Sequence, residues 1–320
     1  MEGEEVRFQK VPGFPPNVLS EKVSSEDAPT VILNGHMDTV EPMSGWRGDP
    51  FKPEVKGNML YGLGASDMKG GLAVLIKVFR KVRNPRINLI FVSTVDEEGE
   101  STGAHTFLRE YDGEFCLVGE PSCEELVLGA RGKAAHGARP YLGTNPIEDM
   151  AKVLASLSKV RIRSHRVLGK GSIAPLGIEG GERSLTIPEV CKLRVDRHTV
   201  FGETENTVKV DFLRVMKRLR TNSRISVSFI KRRTPFPQPY LVDRRSKYVR
   251  RFVRAFESLY RRKPVLSYAE SVGDYNFFGL RMPTLVFGPI GKGSHTAKER
   301  LDIRSLYRCE RVLINFLEKL

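Results

Sequence analysis

An α/β fold, built on a mainly parallel sheet flanked by helices and carrying an inserted α+β unit, is what this sequence predicts, on three observations. Short apolar runs bounded by turn residues recur along the chain, a helical periodicity separates the first two, and the middle third changes both pattern and charge. Runs that are apolar throughout suit strands buried on both faces, and strand–helix–strand order is how parallel sheets are connected.

The elements follow in order. VIL (Val31 to Leu33) reads as the first buried strand. GGLAVLIKVFRKV then places Leu72, Leu75, Ile76, Phe79 and Val82 at helical spacing, which predicts an amphipathic helix. INLIFVSTV (Ile87 to Val95) and FCLV (Phe115 to Val118) are the next two strands. From Gly132 a turn-rich stretch leads into NPIEDMAKVLASLSKV, a helix with Ile147, Met150, Ala151, Val153 and Leu154 on or near one face. Strand-like runs in SIAPLGI and EVCKLRV, a helix in ENTVKVDFLRVMKRLR and a strand at Ile225 to Ile230 complete a small α+β unit. PFPQPY, with prolines at 235, 237 and 239, suits a stiff linker back to the sheet, which TLVFG (Thr284 to Gly288) extends. The expected domains are therefore residues 1–125 with 233–320, and an insertion at 126–232.

Composition narrows the class. The 320 residues are 40% hydrophobic and 28% charged, ordinary for a globular protein with a substantial core. No apolar run approaches the ~20 residues that span a bilayer, so an integral membrane protein is not expected. Four scattered cysteines without a C-x-x-C pair, and an N-terminus lacking a basic-then-apolar leader, point to a reduced, cytoplasmic protein. The net charge is +14, and residues 126–232 hold 21 Lys+Arg against 9 Asp+Glu, leaving 31 against 29 elsewhere. Such a segment suits an acidic substrate, an acidic partner protein or nucleic acid, or is a solvated surface.

Binding sites of open α/β sheets lie beyond the carboxyl ends of their strands. His36 and Asp38 follow VILNG, Glu97 and Glu98 follow INLIFVSTVD, Glu120 follows FCLVG, His295 follows TLVFGPIGKGS, and Asp67 precedes the first helix. Each alone is an ordinary polar turn residue, but all fall on one edge. Two histidines with carboxylates and no nearby thiol suit zinc, cobalt or manganese in a hydrolytic site, and the inventory is large enough for two ions bridged by a carboxylate.

The blocks GHMDTVEP, YGLGASDMKGG, STVDEEGESTGA, GEPS, GKAAHGARPYLGTNPI, VDRHTVFGETENTV and FGPIGKGSHTAKERLDI together cover nearly the whole chain. In that order they resemble the dinuclear-zinc amidohydrolase family of acetylornithine deacetylase, succinyl-diaminopimelate desuccinylase, aminoacylase and glutamate carboxypeptidase. The resemblance implies a zinc-exopeptidase-like fold whose insertion is a lid and dimerisation domain. It implies that His36, Glu98, Glu120 and His295 bind one or other of two divalent metal ions, that Asp67 bridges them, that Asp38 orients the His36 ring, and that Glu97 is the general base. Within GKAAHGARP, His136 would reach the partner subunit's site and stabilise the tetrahedral oxyanion. Arg197 would hold a substrate carboxylate by a two-point fork, its alternative being a strand-end salt bridge with Asp196 or a nearby acid.

Two departures from the family pattern stand out. The first metal histidine comes at position 36, where relatives usually have one or two helices before that strand, and Leu185 occupies a position where many relatives carry asparagine. The implied reaction is hydrolysis of an N-acyl amino acid amide by metal-bound hydroxide, with carboxypeptidase or dipeptidase activity as the alternative. The implied ions are zinc, or else cobalt or manganese, and the implied assembly is a homodimer. An acidic carrier protein is a further candidate partner. Nucleic acid is disfavoured, as is a non-catalytic binding protein with a basic lid, because the full ligand set is present together with Glu97.

Overall fold

A computed structural model of the chain describes residues 5–118, 125–131, 135–136, 140–181, 185–266 and 272–320, with the backbone alone for 125–131, 135–136 and 140. Its α-helices are α1 (Gly70–Lys81), α2 (Thr102–Phe107), α3 (Pro146–Ala155), α4 (Glu205–Met216), α5 (Lys247–Tyr260), α6 (Asp274–Gly279) and α7 (Ile303–Leu317). The chain divides into two compact units. A sheet unit comprises Met1–Ser122, Arg233–Ser267 and Val272–Leu320, and an inserted unit comprises Cys123–Arg232 and Tyr268–Ser271.

The sheet unit is organised by six strands in the spatial order Arg7–Gln9, Asn17–Lys22, Asn88–Thr94, Thr30–His36, Phe115–Val118, Thr284–Val286. The last four run parallel, with Val31 opposite Leu89 and Phe115, and His36 opposite Thr94. All seven residues of Asn88–Thr94 are buried, as expected of a strand covered on both faces. The N-terminal edge differs from expectation. Arg7–Gln9 and Asn17–Lys22, which the sequence reading did not pick out, pair as an antiparallel hairpin and add to Asn88–Thr94.

One sheet face is covered by α1, α7 and α5. Leu33, Leu89, Phe91 and Leu117 meet Val78 and Phe79 of α1, Phe252 and Phe256 of α5, and Leu313 and Phe316 of α7 in a single buried cluster. The helical face of α1 thus gains Val74 and Val78, while Leu72 and Ile76 pack at its edge. The opposite face packs Ile32, Ile90, Val92 and Cys116 against Phe107 of α2 and Tyr275 and Phe278 of α6. A four-stranded antiparallel sheet of short strands, Gly291–Lys292, Arg300–Asp302, Met59–Tyr61 and Glu54–Lys56, flanks the entry to α1.

The inserted unit is an antiparallel sheet in the order Ser172–Gly180, Val190–His198, Glu125–Arg131, Arg224–Phe229. Met150 and Val153 of α3, Val208 and Phe212 of α4, and Leu193, Val195 and Val227 of the strands make its separate core. Asn145 caps α3 by accepting from the Ile147 amide, and Thr204 caps α4 by accepting from the Thr207 amide. Among the described residues no helix is long and apolar enough to cross a membrane.

Candidate metal centre

The site grows from the carboxyl ends of two neighbouring parallel strands. His36 ends the strand Thr30–His36 and is 1% exposed, and Thr94, its register partner, ends Asn88–Thr94 just before Glu97 and Glu98. The turn between Val95 and α2 is pinned by Asp96. Its backbone is left-handed at φ 61°, its carbonyl accepts from the Ser101 amide at 2.6 Å, and its carboxylate accepts from the Thr102 amide at 3.3 Å and from the Thr102 hydroxyl.

Asp67 arrives from the irregular turn Ala65–Lys69 that leads into α1, next to a cis Asp67–Met68 peptide bond. What holds this turn is Glu299. Its carboxylate, 1% exposed, accepts from the backbone amides of Gly64 at 3.0 Å, Ser66 at 2.8 Å and Asp67 at 3.0 Å. Glu299 lies just before Arg300–Asp302, and His295, with φ 58°, sits in the loop joining that strand to Gly291–Lys292. One hairpin therefore delivers both a candidate ligand and the clamp for another.

The side chains converge. Asp67 offers one oxygen to each histidine, with Oδ1 3.2 Å from His36 Nε2 and Oδ2 3.1 Å from His295 Nε2. His295 Nε2 also lies 3.1 Å from Glu98 Oε2. Candidate ligand atoms of His36, Asp67 and Glu98 lie within 4.8 Å of one another. Asp38 works on both sides of this group. Its backbone carbonyl is 3.0 Å and its Oδ1 3.5 Å from His36 Nδ1, while its Oδ2 accepts from the Glu98 amide at 3.1 Å.

Glu97 is 2% exposed, approaches His36 Nε2 only to 3.8 Å, and has no hydrogen-bond partner for either carboxylate oxygen among the described residues. Burial pushes its carboxyl well above the usual range, against the pull of His36, and the charges of Asp274, Glu98 and Asp67 add to the rise. Asp274, on the first turn of α6, accepts from the Thr94 hydroxyl at 2.6 Å, and burial pushes its carboxyl up to about 6. For His36, burial opposes the charged form, but bonding to Asp38 and Asp67 and the charge of Glu97 outweigh it and lift its pKa well above the ordinary value. Hydrogen bonds to Asp67 and Glu98 push His295 up to about 10.

Beside burial, these shifts reflect a pocket of negative potential with more carboxylates than its two imidazoles can neutralise. Imidazole nitrogens and carboxylate oxygens converging at this spacing, with a buried acid left unpaired, fit a divalent cation, which would displace the protons the histidines otherwise retain. The all-N/O donor set favours zinc-like or manganese-like ions over those that need thiolates.

The sequence pattern of the peptidase family M20/M25/M40 matches residues 32–319, a span containing every side chain just described. The chain belongs to this family. Two relatives show what such chains resemble. N-formyl-4-amino-5-aminomethyl-2-methylpyrimidine deformylase of Bacillus subtilis is 26% identical, over 94% of this chain and 82% of its own. Succinyl-diaminopimelate desuccinylase of Nitratiruptor is 27% identical, over 85% and 80%. Among solved M20-type structures, human carnosine dipeptidase 1 superposes with a TM-score of 0.77 at 17% identity, covering 99% of this chain and 87% of that one. The metallo-carboxypeptidase of Sulfolobus solfataricus gives 0.74 at 17%, covering 99% and 90%. At such identities the structures speak for the fold.

Of the residues singled out in the sequence, His36, Asp38, Asp67, Glu97, Glu98 and His295 are brought together. Glu120 and the side chain of His136 lie outside the described residues. Arg197 departs from its expected substrate role. It is 4% exposed, its guanidinium pairs with Glu203, and it also donates to the carbonyls of Ser172, at 3.2 Å, and His198. This is the ion pair with a nearby acid that the sequence left as its alternative. Sequence reasoning missed Glu299, Asp274 and Asp96. Asp96 and Glu299 stand inside the blocks STVDEEGESTGA and FGPIGKGSHTAKERLDI, so the signal was proximity to ligands, while Asp274 carries no such signal.

Proposed function

We propose that this M20 protein hydrolyses the amide bond of an N-acyl amino acid with a free carboxylate, using two divalent ions, most simply zinc, with Glu97 as general base. The observation that carries the reading is the convergence of His36, Asp67, Glu98 and His295 beside a buried Glu97 whose oxygens accept no hydrogen bond among the described residues. In this reading Asp67 would be shared by the two ions, Glu98 and His295 would hold one, and His36 and Glu120 would hold the other. Bound there, the ions would acidify water and polarise the scissile carbonyl.

The chain's own groups do the rest. Glu97 takes the proton from the attacking water and returns it to the leaving amine nitrogen, a role that favours a carboxylate whose pKa is raised toward neutrality. Asp38 fixes the tautomer and direction of the His36 ring and, through the Glu98 amide, the position of that ligand. His136 of the partner subunit donates to the oxyanion, which makes the inserted unit a lid and the active species a homodimer. The basic excess of residues 126–232 supports an acyl group with its own charge, such as succinyl, or an acidic carrier. The cytoplasm is the proposed location, supported by Cys116, Cys191 and Cys309 being buried and free.

A panel of N-acetyl, N-succinyl and N-formyl amino acids and dipeptides, assayed with zinc, cobalt and manganese, tests the reading. Deacylation should exceed dipeptide cleavage, and Glu97→Gln should lower kcat by about 10²–10⁴ while retaining metal. Preferential dipeptide cleavage selects the exopeptidase alternative. Activity surviving Glu97→Gln removes the mechanism. Equal rates on N-acetyl and N-succinyl substrates, unaffected by salt, would remove the acidic-substrate proposal.

A further inference from the structure

Outside residues 126–232 the chain is almost neutral, with 31 Lys+Arg against 29 Asp+Glu. Within the sheet unit, however, the two signs are segregated. Asp67, Glu97 and Asp274 are buried at the metal centre, and Glu299 is buried against the Asp67 turn. Across α1, α7 and α5, which lie side by side in that order, every fully exposed charged side chain is a lysine or an arginine, and Glu257 of α5 is half-buried. Glu310, the acid on α7, is buried and spent on Lys77 and Lys81 at 2.9 and 2.5 Å. Among the described residues, Arg80, Lys247, Arg250, Arg254, Arg304 and Arg311 are exposed and form no ion pair. The chain between α2 and the strand Phe115–Val118, which belongs to the opposite layer, exposes Glu110, Asp112 and Glu114 against Arg109. The asymmetry is therefore a property of one layer and not of the whole surface.

We propose that the outer face of the α1–α7–α5 layer binds the phosphate backbone of nucleic acid without reading sequence. Three features favour this partner over an acidic protein or a membrane. Arginine predominates, and its planar fork matches phosphate oxygens. Protein interfaces centre on apolar anchors, and membrane-surface helices insert them, yet the large apolar side chains of α5 are turned into the core. The large aromatic exposed on this face, Tyr307, lies beneath the Lys77 ammonium, 5.5 Å from its ring centroid. Finally, Lys247, Arg250 and Arg254 climb one side of α5 over roughly 10 Å at ~1.5 Å per residue, the length of about three phosphates of one duplex strand at ~3.4 Å each. Sequence reasoning disfavours nucleic acid because it weighs it as a rival to catalysis. A face laid over the sheet and a centre at the strand ends do not compete.

The test is fluorescence anisotropy of labelled mixed-sequence duplex DNA and single-stranded RNA with the full, metal-loaded chain across a range of salt. The variant combines Arg250→Gln, Arg254→Gln, Arg304→Gln and Arg311→Gln. Wild type should bind with affinity that falls steeply with salt. The variant should bind at least ~10-fold more weakly at low salt, with the duplex salt slope reduced by about 3–4, or about 0.9 for each phosphate contact removed, and with amide hydrolysis unchanged. Should the fourfold variant fail to fold, the pairs Arg250→Gln/Arg254→Gln and Arg304→Gln/Arg311→Gln should each remove part of the slope. Absence of salt-dependent binding by wild type overturns the proposal. So does equal binding by the variants, which puts the contact elsewhere, or equal binding of an acidic polypeptide such as polyglutamate. Binding to phosphatidylserine vesicles without binding to either oligonucleotide overturns it as well.

Discussion

Burying Glu97 without a hydrogen-bond partner among the described residues costs the fold free energy that the 3.8 Å approach of His36 returns only in part. Glu97→Gln should therefore leave the melting temperature of metal-free protein unchanged or higher while activity collapses. A fall of several degrees in a thermal melt would instead mark Glu97 as structural. Asp274 makes a prediction about pH. Its carboxyl holds a proton up to about 6 in the folded state, whereas an unfolded aspartate releases it near ~4. Folding therefore takes up a proton between those values, so the metal-free fold loses stability as pH rises through that window, and the penalty is complete above it. Asp274→Asn should melt higher than wild type at neutral pH, and the gap should close in acid. The ligands themselves were legible because each follows an apolar run that ends at one sheet edge. Asp274 and Arg197 were not, because local sequence does not say whether a charge is buried or which acid, six positions along in Glu203, will take it.

At the scale of elements, the hairpin carrying His295 and Glu299 is the most consequential piece. Removing one oxygen of the clamp in Glu299→Gln leaves amides at the Asp67 turn without an anionic acceptor, so Asp67 loses its fixed direction. Metal affinity should fall about 10–100-fold, the range for groups that orient ligands, measurable by competition with a chromophoric chelator. A purely structural role would instead lower the melting temperature and leave affinity intact. Asp149 performs a comparable service in the inserted unit. Its carboxylate accepts from the Asn222 and Ser223 amides at 3.0 and 2.7 Å and pairs with Lys152 at 2.7 Å. Burial opposes its charge, but the bonds to Lys152 and Ser223 prevail and hold its pKa below the usual value. Its stabilising effect is present above pH ~4 and disappears as pH falls through the lowered folded value. Asp149→Asn should cost about 1–3 kcal/mol at neutral pH and nothing in strong acid, by denaturant titration at both. The sequence reading passed over α5 and α7, long helices with apolar residues at helical spacing, and the elements that no pattern could declare are the short ones. The four flanking strands and the N-terminal hairpin run from two to six residues, too few for a period to declare itself.

For the molecule as a whole, crowding carboxylates into one buried pocket ties stability to metal. Removing the ion with a chelator should lower the melting temperature of the sheet unit, because ligand at a hundredfold excess over its Kd stabilises by about 2.7 kcal/mol, and zinc should restore it. The separate core of the inserted unit predicts a second calorimetric transition that the chelator does not move. Charge and periodicity shift in the sequence near residues 126 and 232, where composition changes over many residues at once, whereas nothing in the sequence groups Tyr268–Ser271 with the inserted unit. The one-sided basic layer was not, since only packing reveals which acids turn inward.

The sheet unit is assembled from segments on both sides of the insertion, since Thr284–Val286 pairs beside Phe115–Val118 across it and His295 closes the group begun at His36. That ordering sets a timetable for synthesis. The inserted unit's contiguous stretch, 123–232, can fold while translation continues, but the strand Thr284–Val286, His295 and the Glu299 clamp emerge from the ribosome only after it. A nascent chain halted before residue 284 would hold a folded insertion and an open sheet edge. Cofactor loading is thereby postponed until His295 and Glu299 have been made, and the half-built sheet is the species on which a chaperone would act.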